Sequence, residues 1–126
     1  HSGLNIDSRV SASSFVKFLS RPQCVAYLPK VLKQKNVVVH SNAGEKSSNV
    51  QVLAKTGTMH FVRGLAGYIA VENQPKAAFA IFSANLRKRA LVSESQAFRP
   101  SGSKTWLGRA KERENSLLKR WSRALT

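Results

Sequence analysis

The sequence predicts an α/β fold in which helices flank an antiparallel sheet, and three observations lead to this prediction. Segments of strand length and strand-like composition occupy residues 50–59, 64–71 and 76–83. The last two are joined by the short polar stretch Glu72-Asn-Gln-Pro75, as in a hairpin. Residues 103–125 instead repeat apolar side chains at helical spacing. The 126 residues suffice for a single domain.

A short amphipathic helix is predicted near the start of the chain. Ser11 can cap it, and the apolar residues that follow lie at helical spacing. Arg21-Pro22 ends the helix, because a residue that precedes proline is disfavoured in the α region. The apolar residues of this helix are Phe15, Val16, Phe18 and Leu19.

The segment from residue 29 to residue 49 is predicted to be irregular. It contains one short apolar run, Val37-Val-Val39, which is compatible with a brief strand. A polar stretch with Gly44 at its centre follows and is typical of a loop.

The central strand is predicted over Val50–Met59. Every second residue from Val50 to Ala54 is apolar, and Thr56 continues this face of the strand. Both strands of the following hairpin are apolar on both faces, which indicates that other elements cover the sheet on each side. Gly64 and Gly67 allow close backbone approach or mark a bulge.

Two helices are predicted after the hairpin, a short one at 91–97 and a long one at 103–125. Ser103 can cap the long helix. Its predicted apolar side contains Leu107, Ala110, Leu117, Leu118, Trp121 and Leu125, and its opposite side contains Lys111, Glu112, Lys119 and Arg123.

The formal net charge of +15 is the most unusual bulk property. Such a charge favours polyanionic partners, whether nucleic acid, anionic lipid or anionic cell-wall polymer. For the charged side of the last helix, a solvated surface is the preferred interpretation, and a nucleic-acid surface is the alternative. One cysteine excludes an internal disulfide, three scattered histidines do not suggest a metal site, and no cofactor is expected. No apolar run is long enough to span a membrane.

The end of the central strand carries the residues best suited to chemistry. Lys55 supplies a positive charge, Thr56 and Thr58 supply hydroxyls that can bind a carboxylate, and Gly57 leaves room for a ligand backbone. Lys-Thr-Gly is a known element of penicillin-recognising serine acyl-transferases. As an isolated tripeptide it is equally compatible with a strand end followed by a turn.

Taken with its neighbours, the motif resembles the D-alanyl-D-alanine carboxypeptidase/endopeptidase family, peptidase family S13 of the penicillin-binding protein 4 type. The resemblance covers nearly the whole chain and is weakest over residues 30–49. The similar segments, in the order of that family, are His1-Ser-Gly-Leu-Asn-Ile-Asp-Ser-Arg-Val-Ser11, Ala54-Lys-Thr-Gly-Thr-Met59, Gly64-Leu-Ala-Gly-Tyr68, Phe79-Ala-Ile-Phe-Ser83, Arg99-Pro-Ser-Gly102 and Ser103-Lys-Thr-Trp106.

The resemblance implies that residues 1–126 are the C-terminal part of a penicillin-binding, serine β-lactamase-like transpeptidase domain in the periplasm. The substrates would be peptidoglycan stem peptides, β-lactams would inhibit, and nucleic acid would not be a partner. Lys55 and Thr58 would be catalytic, with the Thr58 N–H in the oxyanion hole. Thr56, Gly57 and Thr58 would bind substrate. The alternative function is a basic, non-catalytic module that binds nucleic acid or cell-wall polymer through the last helix.

The nucleophile of that family is not matched in this sequence. Its Ser-x-x-Lys and Ser-x-Asn motifs are expected before His1, in a missing N-terminal portion of the same chain, so this piece alone is expected to be inactive. Ser14-Phe-Val-Lys17 has the Ser-x-x-Lys spacing. It lies in the helix that follows the Ser-Gly-Leu segment, however, which is not the position of the family's nucleophile.

Overall fold

The computed structural model describes residues 10–37, 49–92 and 102–126. Within them the chain forms an α/β fold, with a four-stranded antiparallel sheet between helices. The expected strand at 37–39 and helix at 91–97 fall largely outside this part, as do residues 1–9. The elements are α1 (Ala12–Leu19), α2 (Pro22–Tyr27), a 3₁₀ turn (Leu28–Lys30), β1 (Lys33–Val37), β2 (Val50–Met59), β3 (Val62–Val71), β4 (Gln74–Ala84), α3 (Leu86–Val92) and α4 (Ser103–Leu125).

The sheet has the strand order β1-β2-β3-β4, and every neighbouring pair is antiparallel. β2 pairs with β3 along its whole length, from Val50 opposite Val71 to Met59 opposite Val62. β1 pairs with only half of β2, because its first residue, Lys33, lies opposite Ala54. This difference in length leaves the second half of β2 without a neighbour on one side among the described residues.

Tight turns join the three long strands. In the turn His60-Phe61, between β2 and β3, Phe61 has a φ of 59°. In the turn between β3 and β4, Glu72 and Asn73 have φ values of 51° and 65°, and positive φ at both central residues is typical of the two-residue turns that match the twist of a hairpin. The observed connections are shorter than those between the predicted strands at 50–59, 64–71 and 76–83, because β3 begins at Val62 and β4 at Gln74.

Helix α4 covers one face of the sheet. Leu118 packs into the core beside the apolar side chains of alternate sheet residues. The ring of Trp121 lies 6.1 Å from that of Phe79. The buried members of this core are Val50, Val52, Leu65, Ile69, Phe79, Ile81 and Leu118. The predicted apolar side of the helix is thus confirmed at the sheet contact.

Helix α1 covers the opposite face. The Ser14 N–H donates to the Ser11 hydroxyl over 3.1 Å, so the predicted N-cap is confirmed. The Tyr68 hydroxyl donates to the Leu19 carbonyl over 2.7 Å and fixes the end of the helix to β3. Burial, followed by the proximity of Cys24, raises the pKa of the Tyr68 phenol above its ordinary value. With one helix on each face, the predicted two-sided covering of the sheet is confirmed.

Several predicted details are wrong. β1 begins at Lys33, before the Val37-Val-Val39 run, because pairing with β2 outweighs its polar composition. α3 begins at Leu86, where the Asn85 side chain accepts the Lys88 N–H, so the helix predicted at 91–97 begins too late. The N-cap of α4 is Gly102, and Ser103 is its first helical residue.

Two smaller findings complete the fold. The Phe82 side chain is 43% exposed and packs edge-on against Phe15. No helix within the described ranges has both the length and the apolar character needed to cross a membrane.

Candidate functional site

The strand end singled out in the sequence is an exposed part of an otherwise well-packed strand. β2 is buried or half-buried from Val50 to Ala54, whereas Lys55, Thr56, Gly57 and Thr58 are all exposed. The change occurs where β1 stops, since Ala54 is the last residue of β2 that pairs with it. In the part of the chain that the structure describes, β2 pairs beyond this point with β3 alone.

The backbone groups of Thr56 and Thr58 point toward this open edge. The Glu72 N–H donates to the Asn49 carbonyl over 3.0 Å, just beyond the paired ends of β2 and β3. In an antiparallel ladder, hydrogen-bonded pairs recur at every second residue. The odd-numbered residues of β2 therefore bond to β3, and the even-numbered residues direct their N–H and C=O groups away from it. β1 receives these groups up to Ala54, and no strand in the described ranges receives those of Thr56 and Thr58.

Lys55 lies at the same edge. Its Nζ donates to the Thr56 carbonyl over 2.6 Å, which agrees with a carbonyl directed away from β3. An ammonium group has three donors, so two remain for another acceptor. The predicted positive charge therefore stands beside the open backbone groups.

The Thr58 hydroxyl is held by a partner that the sequence analysis did not identify. Arg63 donates from Nη1 to Thr58 Oγ1 over 2.8 Å. The guanidinium also forms an ion pair with Glu114 of α4, in which Nε donates to Oε2 over 3.0 Å and Nη2 donates to Oε1 over 3.1 Å. Because Thr58 Oγ1 accepts from Arg63, its own proton is left to donate to a ligand oxygen.

Gly57 and Lys55 lie on the opposite face of β2 from the two threonines, as the alternation predicts. A Cβ placed on Gly57 would meet no atom within 4 Å. A cleft of about 360 Å³ opens on this side, between the strand end and the first helices of the chain. Its walls are largely apolar and include Phe15, Phe18, Leu19, Leu28, Leu32 and Phe82.

A second cavity, of about 460 Å³, lies beyond Thr58 at the end of the sheet. It is lined by the turn after β2 and by the first residues of α4, including Lys104 and Trp106. His60 is exposed in that turn, and its carbonyl accepts from Arg89 over 3.4 Å.

Ser14 serves helix α1 and does not contact the strand end. Its hydroxyl accepts from Ser11 Oγ over 2.8 Å within the N-terminal turn, and it is exposed. No hydrogen bond joins Ser14 to Lys17 in the described residues. In the structure Ser14 therefore belongs to the first turn of α1, where Ser11 caps its N–H.

Arg63 and Glu114 are the residues of the candidate site that the sequence analysis missed. Glu114 falls four residues after Ala110 and four before Leu118, inside the apolar stripe of α4. A carboxylate at such a position is buried only with a partner. The position of Glu114 in the apolar stripe therefore indicated a buried ion pair, but the sequence does not show which cation is the partner.

The described residues contain no group of three or more histidine, cysteine, aspartate or glutamate side chains that could hold a metal ion. No family model, no curated protein and no solved structure matches this chain.

Proposed function

We propose that this chain supplies the Lys-Thr-Gly strand of a serine-type D-Ala-D-Ala carboxypeptidase/endopeptidase that acts on peptidoglycan stem peptides. In this proposal the fold is the C-terminal part of a penicillin-binding transpeptidase domain of the family S13 type. A serine outside these residues attacks the carbonyl of the scissile amide, whose C–N bond breaks to release the C-terminal part of the peptide as a free amine, and water then hydrolyses the acyl-enzyme ester. The protein would work in the periplasm, where β-lactams would acylate the same serine.

The observation that carries the proposal is the open edge of β2 at Thr56 and Thr58. An extended peptide can add to such an edge through main-chain hydrogen bonds. Gly57 offers no side chain to obstruct it, and Lys55 supplies positive charge beside it. An edge with free donors, a cation and two hydroxyls is suited to a peptide that ends in a carboxylate.

Each residue has a distinct role in this mechanism. The Thr56 and Thr58 hydroxyls donate to the terminal carboxylate of the peptide. Arg63 polarises the Thr58 hydroxyl and, through Glu114, holds it in place. The Thr58 N–H completes an oxyanion hole with the N–H of the nucleophile, for a contribution of about 3 kcal/mol to transition-state stabilisation. Lys55 assists proton transfer among the hydroxyls of the site.

The proposal is tested by intact-mass measurement after exposure to benzylpenicillin. The two samples are the 126-residue chain and the longer gene product that the proposal requires. We expect a penicilloyl adduct on the longer product alone. In that product, Lys55→Ala should abolish labelling because the ammonium group beside the open edge is lost.

Lys76→Ala is the matched control, since Lys76 is also an exposed lysine on a strand of the sheet. It should label normally. Normal labelling of the Lys55→Ala protein would overturn the site assignment, and an adduct on the 126-residue chain would move the nucleophile to Ser14. If no sample is labelled, the acyl-enzyme proposal fails.

A basic, non-catalytic binding module is the second candidate. The observation in its favour is the outer surface of α4, where one exposed acid, Glu112, stands among seven exposed basic residues. These are Lys104, Arg109, Lys111, Arg113, Lys119, Arg120 and Arg123. This candidate takes precedence if no penicilloyl adduct forms on either protein.

A further inference from the structure

A basic cleft lies on the α4 side of the sheet, between β1, β2 and the middle of α4. Its volume is about 500 Å³. It begins beside Thr56 and extends past the pairing of Lys33 with Ala54. Its core-facing walls lie on the opposite face of β2 from the apolar cleft beside Gly57, and the two clefts meet at Lys55, Thr56 and Leu65, which line both.

Four lysines line this cleft: three lie on β1 and α4, and the fourth, Lys55, lies on β2 at the end that the cleft shares with the candidate site. Lys33 and Lys35 lie opposite Ala54 and Val52, two core-facing residues, so both project from the same face of β1 toward α4. Residues two apart on a strand are separated by about 7 Å. Lys111 lines the cleft from α4.

The ammonium groups of Lys33, Lys35 and Lys111 have no carboxylate to neutralise them among the described residues. Of the described residues that line the cleft, Glu114 is the one acid, and both its oxygens are engaged by Arg63. The ion pair formed by Arg63 and Glu114 is also the only one in the ranges that the structure describes. Like charges brought together in this way attract a multivalent anion.

The remaining lining defines the kind of ligand. Gln34 and Asn115 offer amide groups at the rim, and the Thr56 hydroxyl lies at the end nearest the candidate site. The floor is apolar and consists of Val52, Ala54, Leu65 and Leu118. A volume of this size is within the range of small-molecule sites, which combine apolar walls with a few polar groups.

We propose that this cleft binds a small ligand carrying two or more oxyanion groups, phosphate or carboxylate, held by Lys33, Lys35 and Lys111. The proposal does not depend on acyl-enzyme chemistry at the strand end. Its ligand is recognised by charge on one side and by apolar contact on the other, which requires a compact molecule with its anionic groups a few ångströms apart.

Calorimetric titration of the 126-residue chain with pyrophosphate and, separately, with tricarballylate tests the proposal. We expect saturable binding of at least one of them. Monovalent acetate should bind at least about tenfold more weakly, because it can meet only one lysine at a time. Binding of pyrophosphate alone identifies a phosphorylated ligand, and binding of tricarballylate alone identifies a carboxylated one.

The double variant Lys33→Gln/Lys111→Gln should weaken binding by at least about tenfold, since each ammonium contributes a charge-assisted contact. Lys119→Gln/Arg120→Gln is the matched control, because it removes the same charge from exposed positions of α4 outside the cleft. Equal weakening by both variants would show attraction by net charge alone and overturn the site. If neither pyrophosphate nor tricarballylate binds, the site is overturned as well.

Discussion

Arg63 joins the candidate site to the core through a single side chain. It donates to Thr58 at the open edge and makes a forked ion pair with Glu114, whose side chain is 3% exposed. The Arg63 side chain is itself 11% exposed. Burying a charge pair to this degree costs desolvation free energy. We infer that the pair contributes chiefly by fixing the geometry of the groups around it. Here that geometry is the position of the Thr58 hydroxyl.

The substitution Glu114→Ala tests how much the fold depends on the ion pair between Arg63 and Glu114. Glu114→Ala leaves the Arg63 guanidinium buried without its partner, so we expect the free energy of unfolding to fall by about 3 kcal/mol. Urea denaturation monitored by circular dichroism measures the change. The control is Glu112→Ala, which removes the same charge from an exposed position of the same helix and should change stability by less than about 0.5 kcal/mol. Equal effects of the two substitutions would contradict the importance of the ion pair.

At the scale of the elements, β2 and β3 are brought unusually close at one point. A Cβ placed on Gly67 would overlap the Leu53 carbonyl oxygen and lie 2.7 Å from the Ala54 Cα. Both obstacles are backbone atoms, which cannot rotate away. Close backbone approach is thus the reason for glycine at position 67, and the bulge between Ile69 and Ala70 lies elsewhere, in the pairing of β3 with β4. The sequence had left both explanations open.

Gly67→Ala is therefore expected to lower the free energy of unfolding by about 1–3 kcal/mol, because the strands must separate to admit the methyl group. Gly57→Ala is the matched control in the partner strand, since its Cβ would meet no atom within 4 Å. It should leave stability unchanged or raise it by less than about 1 kcal/mol. Thermal or urea denaturation distinguishes the two, and a Gly67→Ala protein as stable as the parent would contradict the close approach.

For the whole molecule, self-repulsion is the dominant electrostatic feature. The formal net charge is +15, and the described residues contain one ion pair. A compact state holds these charges closer together than an unfolded chain does, so repulsion destabilises it. Salt reduces this effect, because the Debye length falls from about 30 Å at 0.01 M to about 8 Å at 0.15 M.

We therefore expect the free energy of unfolding in urea, an uncharged denaturant, to rise when NaCl is increased from about 0.01 to about 0.15 M. The variant Lys119→Gln/Arg120→Gln should respond less, because it carries two fewer positive charges on α4. A decrease in stability with salt would show that attractive pairs dominate the folded state.

The sequence by itself determined the elements whose signal is local. Alternation over Val50–Met59 predicted a strand with two faces, the polar stretch after Val71 predicted a hairpin, and helical spacing predicted α4 with its observed bounds, Ser103–Leu125. It also singled out Lys55, Thr56, Gly57 and Thr58 by chemical type. These features depend on neighbours within a few residues, which is the range over which periodicity and capping act.

Only the tertiary structure decided what those residues face. The open edge of β2 exists because β1 begins only at Lys33, opposite Ala54, and the polar composition of β1 gave no indication of that register. The contact between Arg63 and Glu114 joins residues 51 positions apart. Strand register and ion pairs of this kind are set by the packing of distant elements, which no local pattern in the chain encodes.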